Sequence, residues 1–285
     1  MENTQFYDLI AKDSKQALIQ LVSEAGHGKT SSLRTIIQHV RRKHPDIVFK
    51  IFDVSQAWYH QAPTQWRQLV TLPKMAKGLV ANLDDCVYEM GSLSKEYKRA
   101  FVGMILKADW DKRYQAKLEG RLDEYPLMAY VFEESNIYFG SYALRTNDDY
   151  TPVFQSYVSV GRNYKMRGFL VATAEQGEMS PSLRRRTRKI YGRIISKGDL
   201  SLAKRSGITE DLTRIPKYHF HYYDNESKRG ITQRIPDLVK NVPKDYVVEV
   251  AEVVEESNQF DDKWWFTFFA TLAIFLLFWS WLMRL

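Results

Sequence analysis

The chain has 285 residues, 45% hydrophobic and 26% charged, with a formal net charge of +7 and a single cysteine. This is the composition of a globular protein with a sizeable core, in one large domain or two smaller ones. The lone Cys86 excludes an internal disulfide framework and any cysteine-rich metal site; it fits a reducing compartment and reads as a small apolar residue.

The N-terminal stretch MENTQFYDLIAKDSK has no basic patch followed by an apolar run, so it is not a secretory signal. Residues 17–22, ALIQLV, form a short apolar run and predict a buried strand. The octet SEAGHGKT follows directly. After it, Leu33, Ile36, Ile37 and Val40 recur at helical spacing until Pro45 stops the pattern. Residues 47–54, IVFKIFDV, predict a second strand. The region 55–84, with Pro63 and Pro73, shows no clear period. Residues 85–90 predict a strand, and 93–120 a long helix with Tyr97, Phe101, Met104, Ile105 and Ala108 on one face. Strands are expected at 127–132, 169–173, 190–195 and 218–223, with a helix from Pro152 to Asn163. Alternating strands and helices predict an α/β protein, an open, mainly parallel sheet with helices on both faces. Ligands of such sheets sit at the carboxyl ends of the strands.

Three stretches carry chemistry. A phosphate-binding loop needs inward backbone N–H groups at a helix N-terminus, a lysine for the β- and γ-phosphates, and a hydroxyl for Mg²⁺. In the octet, Gly26, Gly28, Lys29 and Thr30 fill those places, although Ser23 stands where the first glycine is expected. The nucleotide-binding residues are then Ser23, Glu24, Ala25, Gly26, His27, Gly28, Lys29, Thr30 and Ser31, and the cofactors ATP and Mg²⁺. In AYVFEES, a hydrophobic strand ends in two acids. Glu133, with Thr30, is expected to hold Mg²⁺, through water because its side chain is one methylene longer than Asp, and Glu134 to orient the attacking water. In GFLVATAEQGEMSPSLRRRTRK, Thr173 and Gln176 are candidate γ-phosphate sensors, and Ser180-Pro181 makes a helix start. Arg184, in the run Arg184, Arg185, Arg186 and Arg188, and Arg162 are both candidates for an arginine acting on a neighbouring subunit's γ-phosphate; the run can equally follow a DNA backbone. Residues 182–205 hold nine Lys or Arg and one acid, Asp199, which reads as a nucleic-acid surface or as a solvated helix face. His219 and His221 share one strand face with no third ligand, and read as a surface strand rather than a metal site.

In order, SEAGHGKT, YVFEES and VSVGRNYKMRGFLVATAEQGEMSP resemble the FtsK–HerA superfamily of P-loop ATPases over roughly residues 15–200. That superfamily includes viral genome-packaging ATPases, conjugative coupling proteins and Zot-like phage assembly proteins. The resemblance implies a RecA-like P-loop NTPase fold, a homo-oligomeric ring, usually of six subunits, DNA as partner, and arginines acting in trans. Ala174 stands where the family's sensor glutamine would follow Thr173. Residues 1–244 are then the motor domain and 245–263 an acidic linker, in which 245–262 hold seven acids and no base. Residues 264–283 are uncharged and reach roughly 30 Å as a helix, so a transmembrane helix is expected there. The expected location is a single-pass membrane protein with a cytoplasmic N-terminal domain, in a host membrane or a virion inner membrane. The expected function is a membrane-anchored ATPase coupling Mg-ATP hydrolysis to DNA translocation in viral genome packaging. Its rivals are a Zot-like assembly, extrusion or secretion ATPase working with virion or assembly proteins, and a non-catalytic nucleotide-binding membrane adaptor.

Overall fold

The apolar run after the first helix becomes the central strand of a mixed sheet. In the computed structural model, which describes residues 4–62, 64–70, 85–145, 148–173, 179–224 and 229–235, helix α1 (Thr4–Ser14) precedes β1 (Leu18–Val22) and α2 (Lys29–Lys43) follows it. Next come β2 (Ile47–Asp53), β3 (Arg67–Leu69), β4 (Cys86–Glu89), α3 (Lys95–Leu118), β5 (Leu127–Phe132) and α4 (Thr151–Val160). The chain continues through β6 (Met166–Ala172), α5 (Pro181–Arg186), β7 (Thr187–Tyr191), α6 (Lys197–Arg205), β8 (His219–Asp224) and β9 (Arg229–Arg234).

The strands form one sheet in the order β3-β4-β2-β5-β6-β1-β7-β8-β9. Pairing is parallel from β3 to β7 and antiparallel for β7–β8 and β8–β9. Strand β1 is buried at every position, as expected of a parallel strand covered on both faces. One core packs Phe101, Ile105, Phe154 and Tyr157 of α3 and α4 against Tyr130, Phe132 and Leu170. The other packs Phe6 and Ile10 of α1 and Leu33, Ile36 and Val40 of α2 against Ile19, Leu21, Val131 and Val171. The α/β expectation, a mainly parallel sheet with helices on both faces, therefore holds.

Several local expectations shift. Tyr97 of α3 is 48% exposed, and the buried face turns instead to Val102 and Leu106. The reason is that Arg99 is drawn inward by Asp148, with Nε to Oδ2 at 2.6 Å. The strand expected at 190–195 spans 187–191, because its register is set by pairing Thr187–Tyr191 with Leu18–Val22. Helices α1 and α6 and strands β3 and β9 lie outside the elements expected from the sequence.

The membrane expectation is corrected. Among the described residues no helix is long and apolar enough to cross a membrane, and the localisation as a single-pass membrane protein does not stand. The acidic linker 245–263 and the span 264–283 lie outside the described residues, which all fall within the compact unit Met1–Asn241.

Candidate nucleotide site

Because the pairing is parallel, the carboxyl ends of β7, β1, β6, β5 and β2 share one edge of the sheet, and the loops leaving them meet there. The segment between β1 and α2 curls with Gly26 at φ +73° and Gly28 at φ +88°, the left-handed region that glycine enters without steric cost. Gly28 is also closely covered: a Cβ there would lie 2.3 Å from the ring of Tyr218. It caps α2, so the first amides of that helix, with their partial positive charge, face the loop. Lys29 Nζ donates to the carbonyls of Ser23 (2.8 Å) and Glu24 (2.9 Å), which places its ammonium over the loop.

The exceptional Ser23 has a physical explanation. Its φ is not positive, so no glycine is required by conformation. It is fully buried, its hydroxyl donating to Arg193 O at 3.4 Å, and the space for it comes from Gly192 across the strand pair. A Cβ on Gly192 would lie 2.4 Å from Ser23 Oγ and 2.7 Å from the ring of His27. The glycine missing from one strand end is thus supplied by the neighbouring one.

The acidic strand joins the loop. Strand β6 lies between β1 and β5, yet Thr30 Oγ1 donates to Glu133 Oε1 at 3.2 Å. Glu133 is 4% exposed and accepts four further hydrogen bonds: from Trp58 Nε1 to the same oxygen, and from the Val54 and Ser55 amides and Ser55 hydroxyl to Oε2. Beside it, Asp53 is fully buried and accepts from the amides of Ser55, Trp58 and Tyr59. Burial, and then the Asp53 carboxyl, push the Glu133 pKa up, while the Ser55 hydroxyl and the Val54 amide pull it partly back. With Oε1 accepting two hydrogen bonds and Oε2 three, Glu133 has little lone-pair capacity left for a direct metal contact. A hydroxyl next to a carboxylate is a donor set of hard oxygens that suits Mg²⁺.

Glu134, next along, is exposed and stands at φ +47°, a sparsely populated conformation for a residue other than glycine. Thr173 is exposed directly after β6, whose Ala172 pairs with Val22 and accepts from the Ser23 amide, so it sits beside the loop. Gln176 lies outside the described residues. Ser31, Glu24, Ala25 and His27 all belong to the loop or the first turn of α2, and Glu24 meets Arg193 at 3.7 Å.

The two arginine candidates do not join the site within the chain. Arg162 precedes β6 and Arg184 precedes β7, so both stand at the amino-terminal edge of the sheet, opposite the loop. Four features escaped sequence reading: the Asp53–Trp58 turn; Gly192 with Arg193; Tyr218; and the segment Thr213–Lys217. That last segment, with Glu24, Ala25, Gly26, His27 and Arg193, encloses a cavity of about 590 Å³ beside the loop. Only Asp53 had a visible signal, an acid ending an apolar strand just as Glu133 does.

No protein-family model and no curated protein sequence matches the chain. Solved structures do. The genome-packaging NTPase B204 of Sulfolobus turreted icosahedral virus 2, in complex with AMPPCP, is 15% identical, with a TM-score of 0.55 over 78% of this chain and 99% of that one. The pCW3 conjugation coupling protein TcpA, with ATPγS, is 13% identical, with a TM-score of 0.50 over 80% of this chain and 63% of its own. EssC from Geobacillus thermodenitrificans, over its ATPases 2 and 3, is 16% identical, with a TM-score of 0.50 over 79% of this chain and 42% of its own. At these identities the likeness shows the fold alone, which this chain shares with those NTPase and ATPase structures.

Proposed function

We propose that this chain is a P-loop ATPase that couples Mg-ATP hydrolysis to the translocation of DNA, of the kind that packages a viral genome. One observation carries the reading: the Thr30 hydroxyl meets the Glu133 carboxylate at 3.2 Å, tying the loop to the acidic strand across 103 residues of sequence. Neither motif alone would specify hydrolysis; together they hold the two oxygens that a Mg²⁺ site and an attacking water need.

Lys29 binds the β- and γ-phosphates by leaving the Ser23 and Glu24 carbonyls for phosphate oxygens. The loop amides and the first turn of α2 hold the remaining phosphate charge. Thr30, and Glu133 through water, would hold Mg²⁺, which supplies charge neutralisation on the phosphate oxygens. Glu134 orients water for in-line attack on the γ-phosphate and takes its proton. Thr173, beside the loop, is placed to sense the γ-phosphate. The cavity of about 590 Å³ lined by Pro216, Ile215 and Arg193 receives the nucleoside. The fold shared with a genome-packaging NTPase and a conjugation coupling protein supports DNA as the partner; a ring of identical subunits as the working form is what the resemblance of the motifs implies. In that ring Arg162 and Arg184 are the candidates for action in trans, since both lie at the edge of the sheet away from their own loop.

The test is steady-state hydrolysis with and without DNA. Lys29→Ala and Glu134→Gln are each expected to lower kcat by ~10²-fold or more. Unchanged turnover in either variant overturns the reading. An absence of turnover in the parent protein favours a nucleotide-binding adaptor instead.

A further inference from the structure

The basic run 182–205 is sorted by the fold. Arg188 turns to the α1 face of β7 and meets Asp13 at 3.7 Å, and Arg186 donates to Ser159 O at 3.0 Å. Arg184, Arg185 and Lys189 instead line a groove of about 480 Å³ with Arg205 of α6, floored by Tyr191 and Tyr223. Arg205 also borders a second concavity, of about 570 Å³, lined by Lys197 and Lys204. Neither concavity has an acid in its wall. The one acid of the run, Asp199, is buried in the first turn of α6.

We infer that this groove, between α5, β7 and α6, binds the phosphodiester backbone of the DNA; the inference rests on the motor reading above and gives it a contact surface. Four cations in the groove and two more, Lys197 and Lys204, in the concavity that shares Arg205, with no acid in either wall, make a field that favours a polyanion. Lys197 and Lys204, seven residues apart on one face of α6, are separated by about 10 Å at 1.5 Å rise per residue. That separation matches about three steps of axial rise of one strand at ~3.4 Å each. Backbone contacts of this kind carry no sequence information, as a translocating motor requires.

The experiment uses the full chain, with fluorescence anisotropy of a labelled mixed-sequence duplex and of the matching single strand, at several salt concentrations. Arg185→Glu combined with Arg205→Glu is expected to weaken binding at least about tenfold and to reduce the slope of log affinity against log salt by about two. Basal ATP hydrolysis stays at the parent level. The neutral pair Arg185→Gln and Arg205→Gln gives a smaller loss with the same change of slope, and serves if charge reversal unfolds the protein. Arg42→Glu with Lys95→Glu, the same charge change at exposed sites elsewhere, leaves the slope within about half a unit. Parent affinity and slope in the groove variants overturn the inference while DNA-stimulated turnover keeps the motor reading. Equal competition by polyglutamate overturns it in favour of an acidic protein partner. A parent chain that binds neither form of DNA overturns both.

Discussion

Ser23 shows how a loop can lose an expected glycine and keep its shape. What the backbone needs at that position is room, not a left-handed φ, and Gly192 on the adjacent strand provides the room. Gly192→Ala should therefore damage the loop although it lies 163 residues from Lys29. We expect a loss of about 1–3 kcal/mol in stability from overpacking and weaker nucleotide binding, read by urea unfolding and by titration with an ATP analogue. Adding Ser23→Gly should recover much of both, because it removes the nearest clashing atom. Gly28 is under a stricter demand, combining positive φ with the Tyr218 ring overhead. Gly28→Ala should abolish nucleotide binding, and no partner substitution should restore it.

At the scale of elements, α3 is fastened to the sheet by a buried polar cluster. Lys50 of β2, wholly buried, places Nζ 2.7 and 2.9 Å from the two oxygens of Asp109, and the Tyr130 hydroxyl donates to the same carboxylate at 2.8 Å. Burial lowers the Lys50 pKa and Asp109 draws it partly back, the balance expected when a charge survives in a core only through its partner. Asp109→Ala should cost about 3–5 kcal/mol by leaving the ammonium unpaired, seen as a lower urea midpoint. The double change Lys50→Met with Asp109→Leu should cost much less. A single-variant loss under about 1 kcal/mol would mean that the pair does not hold the helix. The same scale explains what was hard to read. Arg-rich 184–188 has one chemical character, but the turn from α5 into β7 sends Arg184, Arg186 and Arg188 to different surroundings. The stretch from 190 looked like a strand because it is apolar, whereas strand pairing with β1 selects Thr187–Tyr191.

Across the molecule, burial holds His27, His44 and His221 below the ordinary histidine value of 6.5. The unfolded chain binds more protons than the folded one below pH 6.5, so these groups withdraw stability as pH falls through that window, until they protonate in the folded state. Glu133 works the other way, since its raised value favours the folded state as pH falls toward 4.5. The sign is therefore tested by difference. His221→Gln should flatten the fall of Tm between pH 7 and pH 5 relative to the parent chain, and a steeper fall would contradict the assignment.

The sequence alone determined part of the local elements and the two motifs from which a phosphate site is proposed. Leu18–Val22 is apolar throughout, Leu33 to Val40 repeats at helical spacing, and Glu133-Glu134 ends a strand; each pattern is written in neighbouring residues by the period of its own backbone. Only the tertiary structure decided that Thr30 meets Glu133, that Gly192 makes space for Ser23, that Trp58 and Ser55 hold the Glu133 carboxylate, and that Arg205 completes the basic groove. The contacts around Ser23 and Glu133 join residues from 75 to 170 positions apart in the chain, as in Trp58 with Glu133 and Ser23 with Arg193. Strand order in a sheet creates them, and strand order leaves no trace in local composition.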